Sequence, residues 1–346
     1  MGETATIAPR ALVDALYRAI LRRVPGSEEV DYWASQLAGP RGVAGVVDAF
    51  ATCPEAQGIA ARDAGLYVAP GHYCSPVVNV EELRRVPPVN AGLPLISWDQ
   101  ERMCELWRSF APLLRECPFR DGKQASLRYH FDNGSFSHGD GAVLYAMLRT
   151  LKPRRYVEVG SGYSSACLLD TLDLMRADTS VTFIEPYTEL LESLLREDDR
   201  ARVRIIAGPV QRAPYAVFDE LQAGDILFID STHVAKTGSD VCHELFNVLP
   251  YLQAGVVIQF HDIFYPFEYP DVWIYGENRS WNELYLLRAL LMGGGYEIVF
   301  FGDYFAKEHR AEIEAVAPQL LRYSWASLWL RKLSPPAARS ARARSL

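Results

Sequence analysis

Residues 155–165 read RYVEVGSGYSS, and this stretch decides the fold. The apolar run around Glu158 is typical of a buried strand, and residues 160–162 (Gly-Ser-Gly) interrupt it before a helical pattern led by two serines. Glycines allow a tight turn and let the backbone approach a ligand closely, while a helix N-terminus presents free N–H groups. The stretch therefore predicts a strand, a ligand-facing turn and a helix.

Short apolar segments alternate with helical patterns beyond this turn, which indicates a parallel α/β sheet. Glu185 ends the second segment, 25 residues after Gly160, where its carboxylate is suited to accept hydrogen bonds from two ribose hydroxyls. A Gly-rich turn followed by an acid at the end of the next strand is typical of nucleotide binding by Rossmann-like sheets. The predicted strands are 156–159, 181–184, 203–207, 226–229, 256–260, 297–301 and 328–331.

The charge beside the turn separates two nucleotide classes. A dinucleotide-binding turn has the spacing GxGxxG and places a diphosphate over the helix, but here Ser165 holds the third glycine position. Glu158, two residues before Gly160, would repel a diphosphate and attract the ammonium of an amino-acid moiety. This favours S-adenosylmethionine over NAD, and a NAD-linked dehydrogenase is kept as an alternative.

The same stretch resembles motif I of class I S-adenosylmethionine-dependent methyltransferases. The resemblance implies a Rossmann-like, seven-stranded α/β methyltransferase sheet in which YEIVFFG and SWASLWLRK form the reversed last strand hairpin. It implies seven cofactor-binding residues: Glu158, Gly160, Ser161 and Gly162 near the methionine, Glu185 at the ribose, and Gly208 and Gln211 near the adenine. A Rossmann-like sheet that has lost its cofactor is the alternative.

A second set of polar residues follows two later strands. Asp230 ends the strand of ILFIDSTH with His233 three residues on, and the next strand ends in His261-Asp262. Ligand sites of open α/β sheets lie at these carboxyl ends, so the groups are expected to face one crevice. Asp230, His261 and Asp262 offer two hard oxygens and an imidazole, a ligand set for a divalent cation such as Mg or Mn.

This arrangement resembles catechol-type methyltransferases, which hold magnesium with an acid after the fourth strand and an Asp-Asn pair after the fifth. His261 and Asp262 stand where Asp and Asn are usual, which leaves the identity of the metal open. The pattern D-S-x-H with H-D-I also resembles a bacterial branch of the class I family. Without a metal, His233 would be the general base, so the predicted catalytic residues are His233, Asp230 and His261.

Two segments are candidates for the acceptor side. Residues 129–141, YHFDNGSFSHGDG, suit either a lid over the site or a solvated turn before a helix capped by Asp140. Residues 263–283 mix aromatic rings with polar groups, as a sugar-binding wall does, and Arg279 is available to pair with a carboxylate or phosphate. A loop that packs its own aromatic rings is the alternative for the second segment.

The N-terminal region predicts a separate helical unit. Its apolar residues recur at helical spacing in three stretches, which Pro25-Gly26 and Gly39-Pro40 separate. Through Leu16-Tyr17, Tyr32-Trp33 and Phe50 it resembles a helical domain of unknown function, distantly similar to phycobilisome linkers, that often accompanies bacterial glycan-modifying enzymes. We predict a helical domain at 1–64, a linker with lead-in helices at 65–124, the methyltransferase domain at 125–332 and a basic disordered tail at 333–346.

Composition limits the remaining classes. The chain is 49% hydrophobic and 23% charged with a net charge of -8, so nothing in it points to nucleic acid. The sequence has no signal-peptide pattern, no apolar run of membrane-spanning length, and six cysteines without metal-type or disulfide-type spacing. These features predict a cytoplasmic protein.

The combined expectation is an O-methyltransferase that uses S-adenosylmethionine on a sugar or glycan hydroxyl, helped by a divalent metal or a histidine base. A protein partner of the N-terminal helical domain is part of this expectation. Two alternatives stay open: a methyltransferase of a phenolic or polyketide small molecule, and a non-catalytic adaptor with a cofactor-free Rossmann-like domain.

Overall fold

A computed structural model of the chain describes residues 8–85, 92–333, 335 and 337. The chain divides into two compact units, Met1–Pro87 and Pro88–Leu346. The division falls inside the segment 65–124 that the sequence predicts as linker and lead-in helices, and the other domain limits stay predictions. In the predicted basic tail at 333–346, Arg339, Arg342 and Arg344 lie outside the described residues.

The first unit is helical around a small apolar core. Val13, Tyr17 and Phe50 are buried there, and the rings of Tyr17 and Phe50 meet edge to face at 4.9 Å. Pro54 begins a fourth helix beyond the three stretches that the sequence predicts, because proline suits the first helical position. The helices α1 to α5 are Pro9–Ile20, Ser27–Ala38, Gly42–Thr52, Pro54–Asp63 and Val80–Leu83.

The second unit is built on a seven-stranded sheet. Its strands β1 to β7 are Arg155–Val159, Ser180–Glu185, Val203–Ala207, Ile226–Ile229, Val257–Phe260, Tyr296–Phe301 and Leu328–Lys332. They lie in the order β3-β2-β1-β4-β5-β7-β6, with β1 to β5 parallel and β7 antiparallel to both of its neighbours. The prediction of a Rossmann-like α/β sheet with a reversed last strand is confirmed.

Helices cover both faces of this sheet, which explains why the central strands are continuous apolar runs. Every residue of β4 and β5 is buried, whereas the edge strand β3 is half exposed. The helices α6 to α14 are Gln100–Arg115, His138–Leu151, Tyr163–Met175, Glu189–Leu194, Ala216–Asp219, Asp240–His243, Glu283–Met292, Gly302–Glu308 and Arg310–Glu314. The 3₁₀ turns are Glu197–Ala201, Val210–Arg212, Leu249–Tyr251 and Pro318–Arg322, and the π-helical turns are Glu244–Val248 and Val272–Gly276.

The lead-in helix α6 is part of the second unit's core. Its residue Trp107 is fully buried, with ring centroids 5.3 Å from Phe305 and 5.7 Å from Trp325. The indole N–H of Trp107 donates to the carbonyl of Glu312 at 3.1 Å. A buried indole needs such a partner, so α6 is fixed against the C-terminal helices.

Asp140 does not cap a helix, in contrast to one interpretation of the sequence. Helix α7 begins two residues earlier, at His138. The Asp140 carboxylate instead accepts the amide of Ala326 at 3.0 Å and the hydroxyl of Ser327. It therefore ties the first turn of α7 to the segment that enters β7.

None of the helices in the described part of the chain has the length and apolar character that a membrane crossing requires.

Candidate active site

The turn after β1 is shaped by Gly160, whose φ of 80° lies in the left-handed region. A Cβ at this position would lie 1.8 Å from the carbonyl oxygen of Asp230, a backbone atom that cannot rotate away. Only glycine therefore fits where the ends of β1 and β4 meet. The strand order reverses at this point, which is where open α/β sheets bind their ligands.

Glu158 lies inside the protein, beneath the turn. Its Oε1 accepts the hydroxyls of Ser164 and Ser165, both at 2.7 Å, and its side chain is fully buried. Burial raises the pKa of this carboxyl to about 8, while the two serine hydrogen bonds oppose the rise. The contacts join the end of β1 to the first turn of α8. Contact between Glu158 and the cofactor stays a prediction.

The raised pKa of Glu158 predicts a pH dependence of stability. Protonated Glu158 contributes fully below its ordinary pKa of 4.5, and this contribution is lost as pH rises towards about 8. We expect Glu158→Gln, a neutral isostere, to flatten the fall in the free energy of unfolding over this window, measured by urea denaturation. Glu197→Gln, at an exposed position, is the control, and a Glu158→Gln profile as steep as the wild type would contradict the assignment.

A cavity of about 560 Å³ opens beside the Gly160 turn, within the size range of small-molecule sites. Glu185 lies in its wall and accepts the amides of Ser161 at 2.9 Å and Tyr187 at 2.8 Å. Gln211 also lines it, and the Oε1 atom of Gln211 is buried with no hydrogen-bond partner in the part of the chain that the structure describes. An unpaired acceptor in a cavity wall is available to a ligand.

Three of the seven predicted cofactor residues line this cavity: Gly160, Glu185 and Gln211. The other four lie behind or beside its wall: Glu158, Ser161, Gly162 and Gly208. The amides of Ser161 and Gly208 donate to the carboxylate and to the backbone carbonyl of Glu185, at 2.9 and 3.1 Å. These two residues therefore hold Glu185 in place.

Four ionisable side chains converge at the ends of β4 and β5: Asp230, His233, His261 and Asp262. Nε2 of His233 lies 3.4 Å from Oδ1 of Asp230 and 3.6 Å from Oδ2 of Asp262. Nδ1 of His261 lies 3.4 Å from the same Asp230 oxygen and 3.7 Å from Oδ1 of Asp262. The structure thus brings together all of the residues that the sequence predicts as catalytic or metal-binding.

Burial and charge act in opposite directions in this cluster. Burial lowers the pKa of His233, but hydrogen bonds to Asp230 and Glu283 outweigh it and raise that pKa to about 10. Burial likewise lowers the pKa of His261, and Asp262 and Asp230 raise it well above its ordinary value. For Asp230, burial raises the pKa, but the two imidazoles outweigh burial and lower it. An imidazole that is protonated at neutral pH cannot accept a proton. Base action by His233 therefore requires another cation beside the carboxylates, whose charge would lower the pKa of His233.

The donor atoms of the cluster fit a divalent cation. Asp230, His233 and Asp262 each place one ligand atom within 4.8 Å of the others. Nδ1 of His261 is buried, and no described residue makes a hydrogen bond to it. Carboxylate and imidazole donors together suit metals such as Mn and Mg. The sequence predicts His261 as the imidazole ligand, whereas the geometry places His233 with the two aspartates. Both imidazoles face the same carboxylates.

A second cavity, of about 510 Å³, is lined by His261 and Asp262. Aromatic rings form one part of its wall, from Phe264, Trp273 and Tyr323. Polar side chains form another part, from Asp132, Ser135, Ser137 and Asp140. No lysine or arginine among the described residues lines it. The wall includes part of the π-helical turn Val272–Gly276, a conformation that is frequent at functional sites.

The structure separates the residues that the sequence predicts on the acceptor side. Ser137 and Asp140 line the second cavity. Asn133 closes a turn by donating to the carbonyls of His130 and Phe136, at 2.8 and 2.7 Å. Ser137 and Asp140 therefore stand beside an ordered, hydrogen-bonded turn, and a lid over the site stays a prediction.

Arg279 is not free to pair with a substrate anion. Its guanidinium donates to the Glu277 carboxylate at 2.6 Å. It also lies over the rings of Trp273 and Trp281, at 4.2 and 4.7 Å from their centroids. The loop thus uses Arg279 to pack its own aromatic rings.

Glu283 is a site residue that sequence reasoning misses. Its Oε2 lies 2.8 Å from Nδ1 of His233, and its side chain is buried. The local sequence SWNE resembles the start of an ordinary helix, with an acid in its first turn. Glu283 and His233 are fifty positions apart in the sequence, so only the tertiary contact reveals the pair.

Comparisons with known proteins agree with this geometry. Residues 157–263 match the family model described as a methyltransferase domain, and residues 4–59 match one described as a domain of unknown function (DUF4214). An uncharacterized protein of Archaeoglobus fulgidus is 28% identical over 173 residues, covering 46% of this chain and 76% of that protein. The similarity of the N-terminal domain to phycobilisome linkers stays a prediction.

Two solved structures are similar to the chain at low identity. The methyltransferase PaMTH1 of Podospora anserina, bound to SAH, is 17% identical with a TM-score of 0.38, covering 72% of this chain and 99% of its own. The O-methyltransferase TomG of Streptomyces achromogenes, in complex with SAM, is 16% identical with a TM-score of 0.38, covering 70% of this chain and 93% of its own. These values are too low for a substrate to be assigned to the chain. The family match spans β1 to the end of β5, which carries both the Gly160 turn and the cluster, and residues 157–263 are therefore similar to a methyltransferase domain.

Proposed function

We propose that the chain is an O-methyltransferase that transfers the methyl group of S-adenosylmethionine to a hydroxyl of a sugar or glycan. One observation carries this proposal: two cavities meet at a cluster of carboxylates and imidazoles. Asp230 lines the cavity beside the Gly160 turn, whereas His261 and Asp262 line the second cavity. Methyl transfer needs a donor site and an acceptor site at one reacting centre, and two cavities that are lined by members of one cluster support such an arrangement.

The first cavity is the proposed cofactor site. Glu185 would accept the ribose hydroxyls, and the unpaired Oε1 of Gln211 would meet the adenine or a bound water. S-adenosylmethionine supplies a methyl group on a positively charged sulfur. The carboxylates of Glu185, Asp230 and Asp240 outnumber the one ammonium, of Lys236, in the same wall, which favours a cationic ligand over a diphosphate and supports the preference over NAD.

The cluster is the proposed centre for activating the acceptor. Asp230 and Asp262 with one imidazole would hold a divalent cation (Mg or Mn), and the bound cation would lower the pKa of an acceptor hydroxyl. The positive charge of the cation would offset the charge of the two carboxylates and so lower the pKa of the imidazole that does not bind the cation. That imidazole would then accept the proton of the hydroxyl. The His233-only mechanism requires the same proton transfer with no cation, and the pKa of about 10 of His233 disfavours it.

The second cavity is the proposed acceptor site, and its charge limits the acceptor. Its walls combine flat rings with carboxylate and hydroxyl groups, which suits the apolar faces and hydroxyls of a sugar. Three of the four ionisable side chains in its wall are the carboxylates of Asp132, Asp140 and Asp262, so a phosphate or carboxylate on the acceptor would meet more negative than positive charge. We therefore expect neutral acceptors to be preferred over nucleotide sugars and uronic acids. A phenolic or polyketide acceptor would also contact the rings, so it stays the second candidate.

We expect Glu185→Gln to weaken the binding of S-adenosylmethionine about 10- to 100-fold, since hydrogen bonds to a charged group are worth about 1.5–3 kcal/mol. The amides of Ser161 and Tyr187 donate to different oxygens of Glu185, so glutamine keeps an acceptor for one of them, and the fold is expected to persist because Tyr187 is exposed to water. Isothermal calorimetry measures the affinity, with Glu189→Gln, an exposed neighbour, as the matched control. Equal affinity in both variants would contradict the ribose assignment.

The acceptor is tested by transfer of a labelled methyl group to cell-derived glycans, neutral glycosides, nucleotide sugars and catechols. Label in the neutral glycosides or glycans supports the proposal, whereas label only in catechols moves the assignment to the second candidate. An absence of cofactor binding at high micromolar concentration would favour the adaptor alternative. The cytoplasmic location, the domain limits and a protein partner of the N-terminal domain belong to this proposal as well.

A further inference from the structure

The imidazole of His233 is held by three consecutive residues at the start of α12: Trp281, Asn282 and Glu283. The strongest contact is the hydrogen bond of 2.8 Å between Nδ1 of His233 and Oε2 of Glu283. The two residues are 4% and 1% exposed, so water cannot replace this bond. A buried carboxylate is costly unless it is paired and hydrogen-bonded, and His233 supplies that pairing for Glu283.

The same segment fixes the backbone of His233. The carbonyl of His233 accepts the amides of Asn282 and Glu283, at 3.0 and 3.2 Å. Two residues after His233, the amide of Ala235 donates to Oδ1 of Asn282 at 2.6 Å. His233 itself has a φ of 60°, an uncommon conformation for a residue with a side chain. Such conformations persist where surrounding contacts over-determine them, and these hydrogen bonds are those contacts.

Trp281 closes a further side of the imidazole. Its ring centroid lies 4.4 Å from that of His233, with 37° between the planes. The guanidinium of Arg279 covers Trp281, at 4.7 Å from its ring centroid. The imidazole is therefore restrained in position by the hydrogen bond and in orientation by the packed ring.

With Nδ1 occupied, the orientation of the other nitrogen is decided. Nε2 of His233 faces Asp230 and Asp262, at 3.4 and 3.6 Å. The partner of one ring nitrogen sets which nitrogen carries the proton and which remains for ligation or proton transfer. A carboxylate at Nδ1 selects the form in which Nδ1 is protonated.

We propose that Glu283 is a positioning residue for methyl transfer: it accepts the Nδ1–H of His233 and so directs Nε2 to Asp230 and Asp262. Its effect on turnover rests on the proposed function, whereas the protonation of Nδ1 does not. Glu283 lines neither cavity, and its hydrogen bond in the site is the one to His233.

The test uses the full-length, EDTA-treated protein labelled with ¹⁵N and long-range ¹H–¹⁵N correlation spectra of its seven histidines. His233→Asn identifies the His233 signals by their loss, because asparagine tolerates the left-handed conformation. We expect the wild-type spectrum to show a proton on Nδ1 of His233, and Glu283→Gln to abolish its protection from exchange. A proton on Nε2 only would overturn the proposal, and this outcome depends on the wild type alone.

Glu244→Gln is the matched control for this experiment. Glu244 is also 1% exposed, and its Oε2 accepts the hydroxyl of Ser231 at 3.1 Å, without a hydrogen bond to His233. We expect it to leave the His233 signals unchanged. Once an acceptor is known, Glu283→Gln is expected to lower kcat about 10- to 100-fold at constant cofactor affinity. An unchanged kcat would overturn the positioning role, whereas a chain that transfers no methyl group would contradict the proposed function and not the pairing.

Discussion

Asp262→Asn is expected to weaken the binding of one divalent cation and to lower turnover, each about 10- to 100-fold, since an interaction with a charged group is worth about 1.5–3 kcal/mol more than none. Asp262 lies within 4 Å of both imidazoles of the cluster, and the amide that replaces it keeps one ligand oxygen but loses the negative charge. The variant should fold, because Asp262 has a φ of 57° and asparagine is among the residues that adopt this conformation readily. Calorimetric titration with Mn²⁺, with methyl transfer measured on the same samples, checks both effects.

A second acidic cluster supplies the control for this experiment. Asp121, Asp132 and His138 also bring three ligand atoms within 4.8 Å of one another, but Arg322 already pairs with Asp121 at 2.8 Å. We therefore expect Asp121→Asn to leave the Mn²⁺ stoichiometry and turnover unchanged. Activity that is indifferent to EDTA and to added Mn²⁺, together with an active Asp262→Asn variant, would replace the metal proposal with the His233-only mechanism.

Gly160→Ala is expected to destabilise the protein by about 3 kcal/mol or more and to abolish cofactor binding, because steric overpacking and backbone strain add. The new Cβ would lie 1.8 Å from the Asp230 carbonyl, so β1 and β4 would have to separate at their carboxyl ends. The separation would also move the Asp230 carboxylate, which lines the cofactor cavity. Urea denaturation and calorimetry with S-adenosylmethionine measure the two effects.

Gly208→Ala is the control for that prediction. A Cβ at Gly208 would meet no atom within 4 Å, and its φ is outside the left-handed region. Its free energy of unfolding should therefore stay within about 0.5 kcal/mol of the wild type. If Gly160→Ala were as stable as Gly208→Ala, the close approach of the two strands would be refuted.

Much of the sheet was determined by local sequence. Runs such as ILFI at residues 226–229 are apolar on both faces, and a buried parallel strand is the arrangement that covers both. The Gly160 turn is also local, since its conformation depends on the absence of a Cβ. Because parallel strands end at one edge, the polar residues after β4 and β5 could be placed together before their contacts were known.

Only the tertiary structure decided which side chains meet at this edge. Glu283 reaches His233 across fifty positions, Asp140 binds the segment before β7, and Arg279 is held by Glu277 and two tryptophans. Each of these residues also fits an ordinary local role: Glu283 as an acid in a first helical turn, Asp140 as a helix cap and Arg279 as a surface charge. Local periodicity determines where strands and turns lie, whereas partners of long polar side chains depend on the packing of distant elements, which no local pattern encodes.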